Sequence, residues 1–413
     1  MPRANHASFF LLTLAAAGLG LLLLTGCSGG GVGGFGDPGN TGNGGGGNAN
    51  NNVANNNNAA NNNAANNNNA ANNNGANNNN AGGGGGTPLI SGSFTTLGKP
   101  AGGYNVITDM HVFNGRLYFT NNNSPLRSFG ANVHYTTNGS TFTSVISDAT
   151  SQGYLRIREI DGNLFIADGD PNGLDPSYVY ESTTGNNFGS FTQTVVTGAV
   201  HTFDCIKIGA KYFCSNGMGN SNGSLCKATT VGGNWSETVP TNLQRLKYMV
   251  WFKNMLFVAK RAIGTTMDYA RWDGDPETAA GYGYDVAPGE ANTFRWFVTA
   301  DGTRLYWSFA SDALHCYTTT DGSSWSVVTS LDGKFISDFC EIDGNVYALS
   351  HDGLWGSTNG TTFTQVCAAP AGQPFHPEAV GGGINTESMA SMTVYNGKIW
   401  AGGSTTGTLY RVD

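Results

Sequence analysis

The sequence predicts an all-β protein made of seven copies of one four-stranded unit, and three observations lead there. A tight turn recurs between residues 100 and 413 at spacings of 42 to 53 residues, beginning at Asn114, Asp161, Gly209, Lys253, Asp301, Asp343 and Asn396. Each turn is followed by an apolar or aromatic pair, from Leu117-Tyr118 and Leu164-Phe165 to Ile399-Trp400, the composition a packed strand prefers. The last repeat stops three strands in, at Leu409–Asp413, while an unmatched strand, Ser93–Leu97, stands before the first. A four-stranded unit of about 45 residues is a propeller blade. Seven blades, the last completed by the amino-terminal strand, close into a ring without an open edge. A β-sandwich or a solenoid leaves those complementary ends unexplained.

The turns justify the inner hairpins. Four of them are Asn-Gly or Asp-Gly steps: Asn114-Gly115, Asp161-Gly162, Asp343-Gly344 and Asn396-Gly397. Such pairs take the positive φ that a two-residue hairpin requires. The outer hairpins carry a second signature: Thr136-Thr137-Asn138-Gly139-Ser140-Thr141-Phe142, Thr319-Thr320-Asp321-Gly322-Ser323-Ser324-Trp325 and Ser357-Thr358-Asn359-Gly360-Thr361-Thr362-Phe363 align residue for residue. This resembles a shortened Asp-box, the turn common in sialidase-like propellers. The resemblance implies a structural role, in which the polar side chain caps the turn and the aromatic packs between blades. It implies nothing about activity.

The first 87 residues read differently. An apolar run from Phe9 to Leu24 ends at Leu24-Thr25-Gly26-Cys27, and it is shorter than the ~20 residues a membrane-spanning helix needs. The ending resembles a bacterial lipobox, which implies a signal peptide over 1–27, lipidation of Cys27 and, with Ser28 where a retention signal has aspartate, the outer membrane. From 28 to 87 the chain is almost only Asn, Gly and Ala. It cannot bury enough apolar area to offset the entropy of ordering it. As a flexible coil it spans roughly 45 Å, a tether that holds the domain of 88–413 clear of the membrane.

Charged residues make up 12% of the chain and the net charge is −8, with no basic stripe. Nucleic acid is therefore excluded as the expected partner. Counting five residues back from each inner turn gives Asp109, Arg156, Asp204, Tyr248, Trp296, Asp338 and Ser391; four back gives an apolar set. The polar set is expected near the axis, on the face where the inner strands begin. Hydrogen-bonding groups beside aromatic platforms suit a sugar or a cationic ligand, although propeller channels are polar in any case. On a loop of that face, Asp168-Gly169-Asp170-Pro171-Asn172-Gly173 resembles the start of a calcium loop. Asp168, Asp170 and Asn172 would be the ligands; Val179 stands where an EF-hand has Glu, and an Asp-rich solvated turn is the competing reading.

Six cysteines remain beside Cys27, and an exported chain with an even count invites disulfides. Outward from Gly209-Ala210, the hairpin count places Cys205 opposite Cys214, with Cys226 on the next strand as the rival partner. The expected function is a monomeric, lipid-anchored surface module that binds a carbohydrate or a surface protein. The competing classes are a glycan-cleaving enzyme and a scaffold with no small ligand. A sialidase-like enzyme needs three arginines around the substrate carboxylate. Arg156-Ile157-Arg158 departs from the Arg-Ile-Pro pattern of that family, and no further arginine stands in matching context.

Overall fold

The computed structural model describes residues 87–123, 129–169, 176–217, 223–240, 245–260, 269–284, 293–309, 315–372, 375 and 390–413. They form seven four-stranded antiparallel sheets. The first strands of the blades (Met110–Phe113, Tyr154–Ile160, His201–Ile208, Leu246–Phe252, Thr293–Val298, Ile336–Ile342 and Met392–Tyr395) each touch the next around an unbroken circle that returns to the first. These are the innermost strands of a seven-bladed β-propeller. The seventh blade takes its outer strand from the amino-terminal side: Phe94 pairs with Val412, Thr95 with Arg411 and Thr96 with Tyr410. The chain thus closes its own ring.

The turn chemistry is as the sequence predicts. Asn114, Asp161, Asp343 and Asn396 have φ between 48° and 53°, and each following glycine is also left-handed. Lys253 and Asn254 adopt the same conformation at φ 48° and 62°, without the glycine that eases it. The fifth blade differs. Thr299 and Arg304 still pair through Thr299 N–H and Arg304 C=O (2.9 Å), so the turn is the four residues 300–303 and begins one residue before Asp301.

The outer turns cap themselves. Gly139, Gly322 and Gly360 donate N–H to Thr136, Thr319 and Ser357 hydroxyls at 2.8–2.9 Å. Two further N–H groups in each turn reach Asn138, Asp321 or Asn359 at 2.7–2.9 Å. Each of these turns also abuts the preceding blade. Trp325 donates to Tyr269 Oη (3.1 Å), and Phe363 packs edge-on against Tyr306. The apolar cores therefore lie between blades, as in the cluster of Phe297, Tyr306, Phe339, Val346 and Phe363.

Candidate functional site at the propeller axis

Each inner strand of blades two to six carries a register irregularity just before or at the axial position: between Tyr154 and Arg156, Thr202 and Asp204, Leu246 and Met249, Thr293 and Trp296, and Ile336 and Asp338. A bulge inserts a residue and re-aims its neighbours. Here it accompanies polar side chains on the axis. The expected residues Asp109, Arg156, Asp204, Tyr248, Asp338 and Ser391 all converge there, and none is more than 7% exposed.

Trp296 is the correction. Because the fifth turn starts one residue early, counting from Asp301 overshoots by one. Trp296 falls in the apolar register, stacked on Trp307 with ring centroids 5.0 Å apart. The axial residue of that blade is Arg295, 1% exposed.

The axis is filled by ion pairs. Asp109 accepts from Arg156 Nη1 and Arg295 Nη1, both at 3.0 Å, and its other oxygen from Ile157 N–H at 2.7 Å. Asp204 receives Nε and Nη2 of Arg158 at 2.9 and 2.8 Å, and Met249 N–H at 2.8 Å. Asp338 accepts from Ser391 Oγ at 2.7 Å and Met392 N–H at 2.9 Å, with Arg295 Nε at 3.6 Å. One rule recurs: an axial aspartate binds the backbone of the next blade's inner strand, one residue beyond that blade's axial position. The three carboxylates therefore pin blade one to two, three to four, and six to seven.

Electrostatics follow from this geometry. Burial opposes the Arg156 charge, but Asp109, Asp204 and Asp338 together hold its pKa above the ordinary value. Burial, aided by Asp109 and resisted by Arg156, pushes Asp338 up to about 7. A buried charge is tolerated only when paired and hydrogen-bonded: Asp109 and Asp204 meet that condition with Arg156, Arg295 and Arg158, while Asp338 takes its hydrogen bonds from Ser391 and Met392.

Arg158, weighed above only for an enzyme, and Arg295 were not among the expected axial residues. Both had a signal: Arg158 lies two residues beyond Arg156 and so shares its strand face, and Arg295 is a lone charge between Phe294 and Trp296. A charge inside an apolar strand needs a buried partner.

The other expected sites fall apart from the axis. Asp168 is 1% exposed and accepts from Ser151 Oγ at 2.9 Å; Asp170 and Asn172 lie outside the described residues, as does Cys27. Among the described residues no group of three or more His, Cys, Asp or Glu converges as a metal site. Cys205 pairs with Cys214 in the expected register, yet all six described cysteines are free thiols. A cleft of about 300 Å³ lies away from the axis, at the outer turns of blades five and six, where Arg304 faces the hydroxyls of Thr318, Thr319, Ser324 and Thr361.

No protein family matches the chain, and no curated protein does either. Solved structures do. The extracellular domain of BT4673 from B. thetaiotaomicron aligns with a TM-score of 0.50 at 12% identity over 77% of this chain and 39% of that one. The β-propeller domain of the Trilobed protease from Pyrococcus furiosus aligns at 0.45 and 9% over 75% and 96%. PorZ, a bacterial surface component of the type-IX secretion system of Porphyromonas gingivalis, aligns at 0.40 and 12% over 71% and 48%. This chain spans less than half the length of the BT4673 and PorZ chains. At such identities the likeness is one of fold.

Proposed function

We propose that the chain is a lipid-anchored, surface-displayed binding module, monomeric and non-catalytic, whose ligand is a carbohydrate or another surface protein. The observation that supports it is the axis: its buried aspartates and arginines spend their hydrogen bonds on one another and on the neighbouring blades, a structural use of those side chains. Binding then belongs to the loops on the rigid ring, where recognition residues concentrate. Asn345, next to an inner turn, donates Nδ2–H to Thr87 C=O at 3.0 Å. Thr87, the first described residue, thus lies beside an inner turn of blade six.

A glycan-array and thermal-shift screen of the full chain, with and without calcium, tests the reading. Saturable binding with no product released supports it; release of reducing sugar from any bound glycan overturns it in favour of an enzyme. The filled axis also favours a second reading, a scaffold without small ligands. No thermal shift with any glycan, together with no retention of other envelope proteins, selects that one. Incorporation of labelled palmitate, abolished by Cys27→Ala, checks the anchor.

A further inference from the structure

Blade five is built differently at its rim. Its outer strand is Ser326–Val327, two residues where the outer strands of the other six blades have four to six. The chain then leaves the sheet through Val328 into a short helical turn at Thr329–Leu331. Beside this short strand, between the blade five sheet and the outer turn of blade six, lies the cleft of about 300 Å³. Ligand sites begin at about that size.

Strand register sets what faces the cleft. Tyr306 stands opposite Thr318, and Thr318 opposite Ser326, so these side chains share one face of the sheet. Arg304, two residues before Tyr306 and still paired with Thr299, belongs to the same face. That face is turned toward blade six, where Tyr306 Oη donates to Gly360 C=O at 2.5 Å. Arg304, Thr320 and Ser326 line the cleft from blade five and Thr361 from blade six, while Val327 and Val328 supply an apolar wall.

Several of the polar groups here are already engaged. Thr318 Oγ1 donates to Leu305 C=O at 3.0 Å, Thr319 caps its own turn, and Thr361 Oγ1 donates to Asn359 Oδ1 at 3.1 Å. Arg304 is not. Its Nη1 reaches Thr318 Oγ1 only at 3.4 Å, and among the described residues it joins no ion pair. The hydroxyls of Thr320 and Ser326 have no hydrogen-bond partner among the described residues either. The half-buried guanidinium thus keeps most of its N–H donors for a group from outside the chain.

We infer that this cleft binds a sugar carrying a single negative charge, as a carboxylate or a sulfate ester. The inference rests on the reading of the chain as a carbohydrate-binding module, and adds the charge of the sugar and its seat. The guanidinium fork matches two oxygens of either group. No second cation lines the cleft among the described residues, so one negative charge is neutralised and a phosphate dianion is not. Thr320 and Ser326 face the ring hydroxyls, and Val327, 37% exposed, offers apolar contact to the C–H groups. Asp321, on the bordering turn, holds its Oδ1 against the Ser323 and Ser324 N–H groups at 2.7 Å; its charge opposes the ligand and keeps the affinity for one sugar ring weak.

Isothermal titration of the full chain at low ionic strength tests the cleft, with glucuronic acid, glucose 6-sulfate and uncharged glucose as probes. One or both acids should bind, glucose at least about tenfold more weakly, and added salt should weaken the acids. Arg304→Met should remove the preference with little change in melting temperature, and Arg304→Lys should keep part of it. Should Arg304→Met unfold the protein, Ser326→Tyr, which fills the cleft from an exposed position, should abolish binding instead. Failure of both acids to bind, or binding that survives these substitutions, overturns the inference. Equal, Arg304-dependent binding of a hexaglutamate peptide or of glucose 6-phosphate overturns the choice of a singly charged sugar. Glycans that still bind the Arg304→Met protein on the array overturn the cleft alone and leave the carbohydrate reading standing; a blank array together with failed titrations overturns both.

Discussion

Trp296 and Arg158 show what single residues contribute to the axis and its walls. Trp296 is 4% exposed, stacks on Trp307 and donates Nε1–H to Tyr248 C=O at 3.1 Å. Trp296→Ala should therefore cost about 3–5 kcal/mol by removing a large core side chain, read as a lowered urea midpoint. A ligand platform would lose binding with little change in stability. Arg158→Met strands Asp204 as an unpaired carboxylate at 0% exposure, and removing one partner of a buried pair costs about 3–5 kcal/mol. Arg158→Met with Asp204→Asn should recover part of that loss.

Two buried carboxyls give the stability a pH dependence of their own. Burial raises Asp338 to about 7 and Glu181 to about 7. The native carboxyls then keep protons that the unfolded chain releases near its ordinary values, so stability falls as pH rises from about 4 to about 7. His134, lowered to about 4 by burial, acts in the opposite direction below its usual 6.5. The expected result is a lower urea midpoint at pH 8 than at pH 6. Glu181→Gln should shrink that difference, because the amide oxygen can still accept from Gly232 N–H as Glu181 does now.

At the scale of the element, the repeating device is the outer turn wedged against the neighbouring blade. Gly360 has φ +71°, and a Cβ there would lie 2.6 Å from Tyr306 Oη, which donates to Gly360 C=O at 2.5 Å. Gly397 has nearly the same φ, +69°, with nothing within 4 Å of a Cβ. Gly397→Ala should cost only the left-handed strain, about 1–2 kcal/mol. Gly360→Ala should cost clearly more, and the difference measures the contact between blades. Equal losses would show that the contact adds nothing.

Elements also set what was legible in the sequence. Blade count, turn residues and the capped outer turns were readable because each is a local pattern repeated several times. The axial register was readable wherever the turn had two residues, and it failed in blade five, where the turn has four. The bulges were not readable: Leu155, Phe203 and Ser337 have nothing in common that marks an inserted residue. The axial ion pairs depend on which arginine reaches which aspartate across as many as 186 residues of chain (Asp109 to Arg295), and no local pattern records such pairings.

For the whole molecule, the decisive contact joins the two ends of the domain. Phe94–Gly98 supplies the outer strand beside Leu409–Val412, so the ring cannot close until about three hundred residues of blades are in place. Closing so long a loop costs entropy early and returns contacts late. The amino-terminal segment does more than fill one edge. Before reaching that strand it crosses blade six, where Gly92 N–H meets Val366 C=O at 3.3 Å and Ile90 N–H meets Tyr347 Oη at 2.8 Å. Leu89, Ile90, Phe94 and Leu97 pack on the core shared by blades six, seven and one. The segment is thus a clasp across two blades. A chain starting at Gly98 would bare the Leu409–Val412 edge, and an unpaired edge recruits other strands. It should melt well below the full domain and elute from size exclusion as dimers or larger species. A chain starting at Ser93 keeps the strand and loses only the crossing of blade six, so it should stay monomeric with a smaller fall in melting temperature. If both truncations behave alike, the closing strand adds nothing beyond the crossing of blade six.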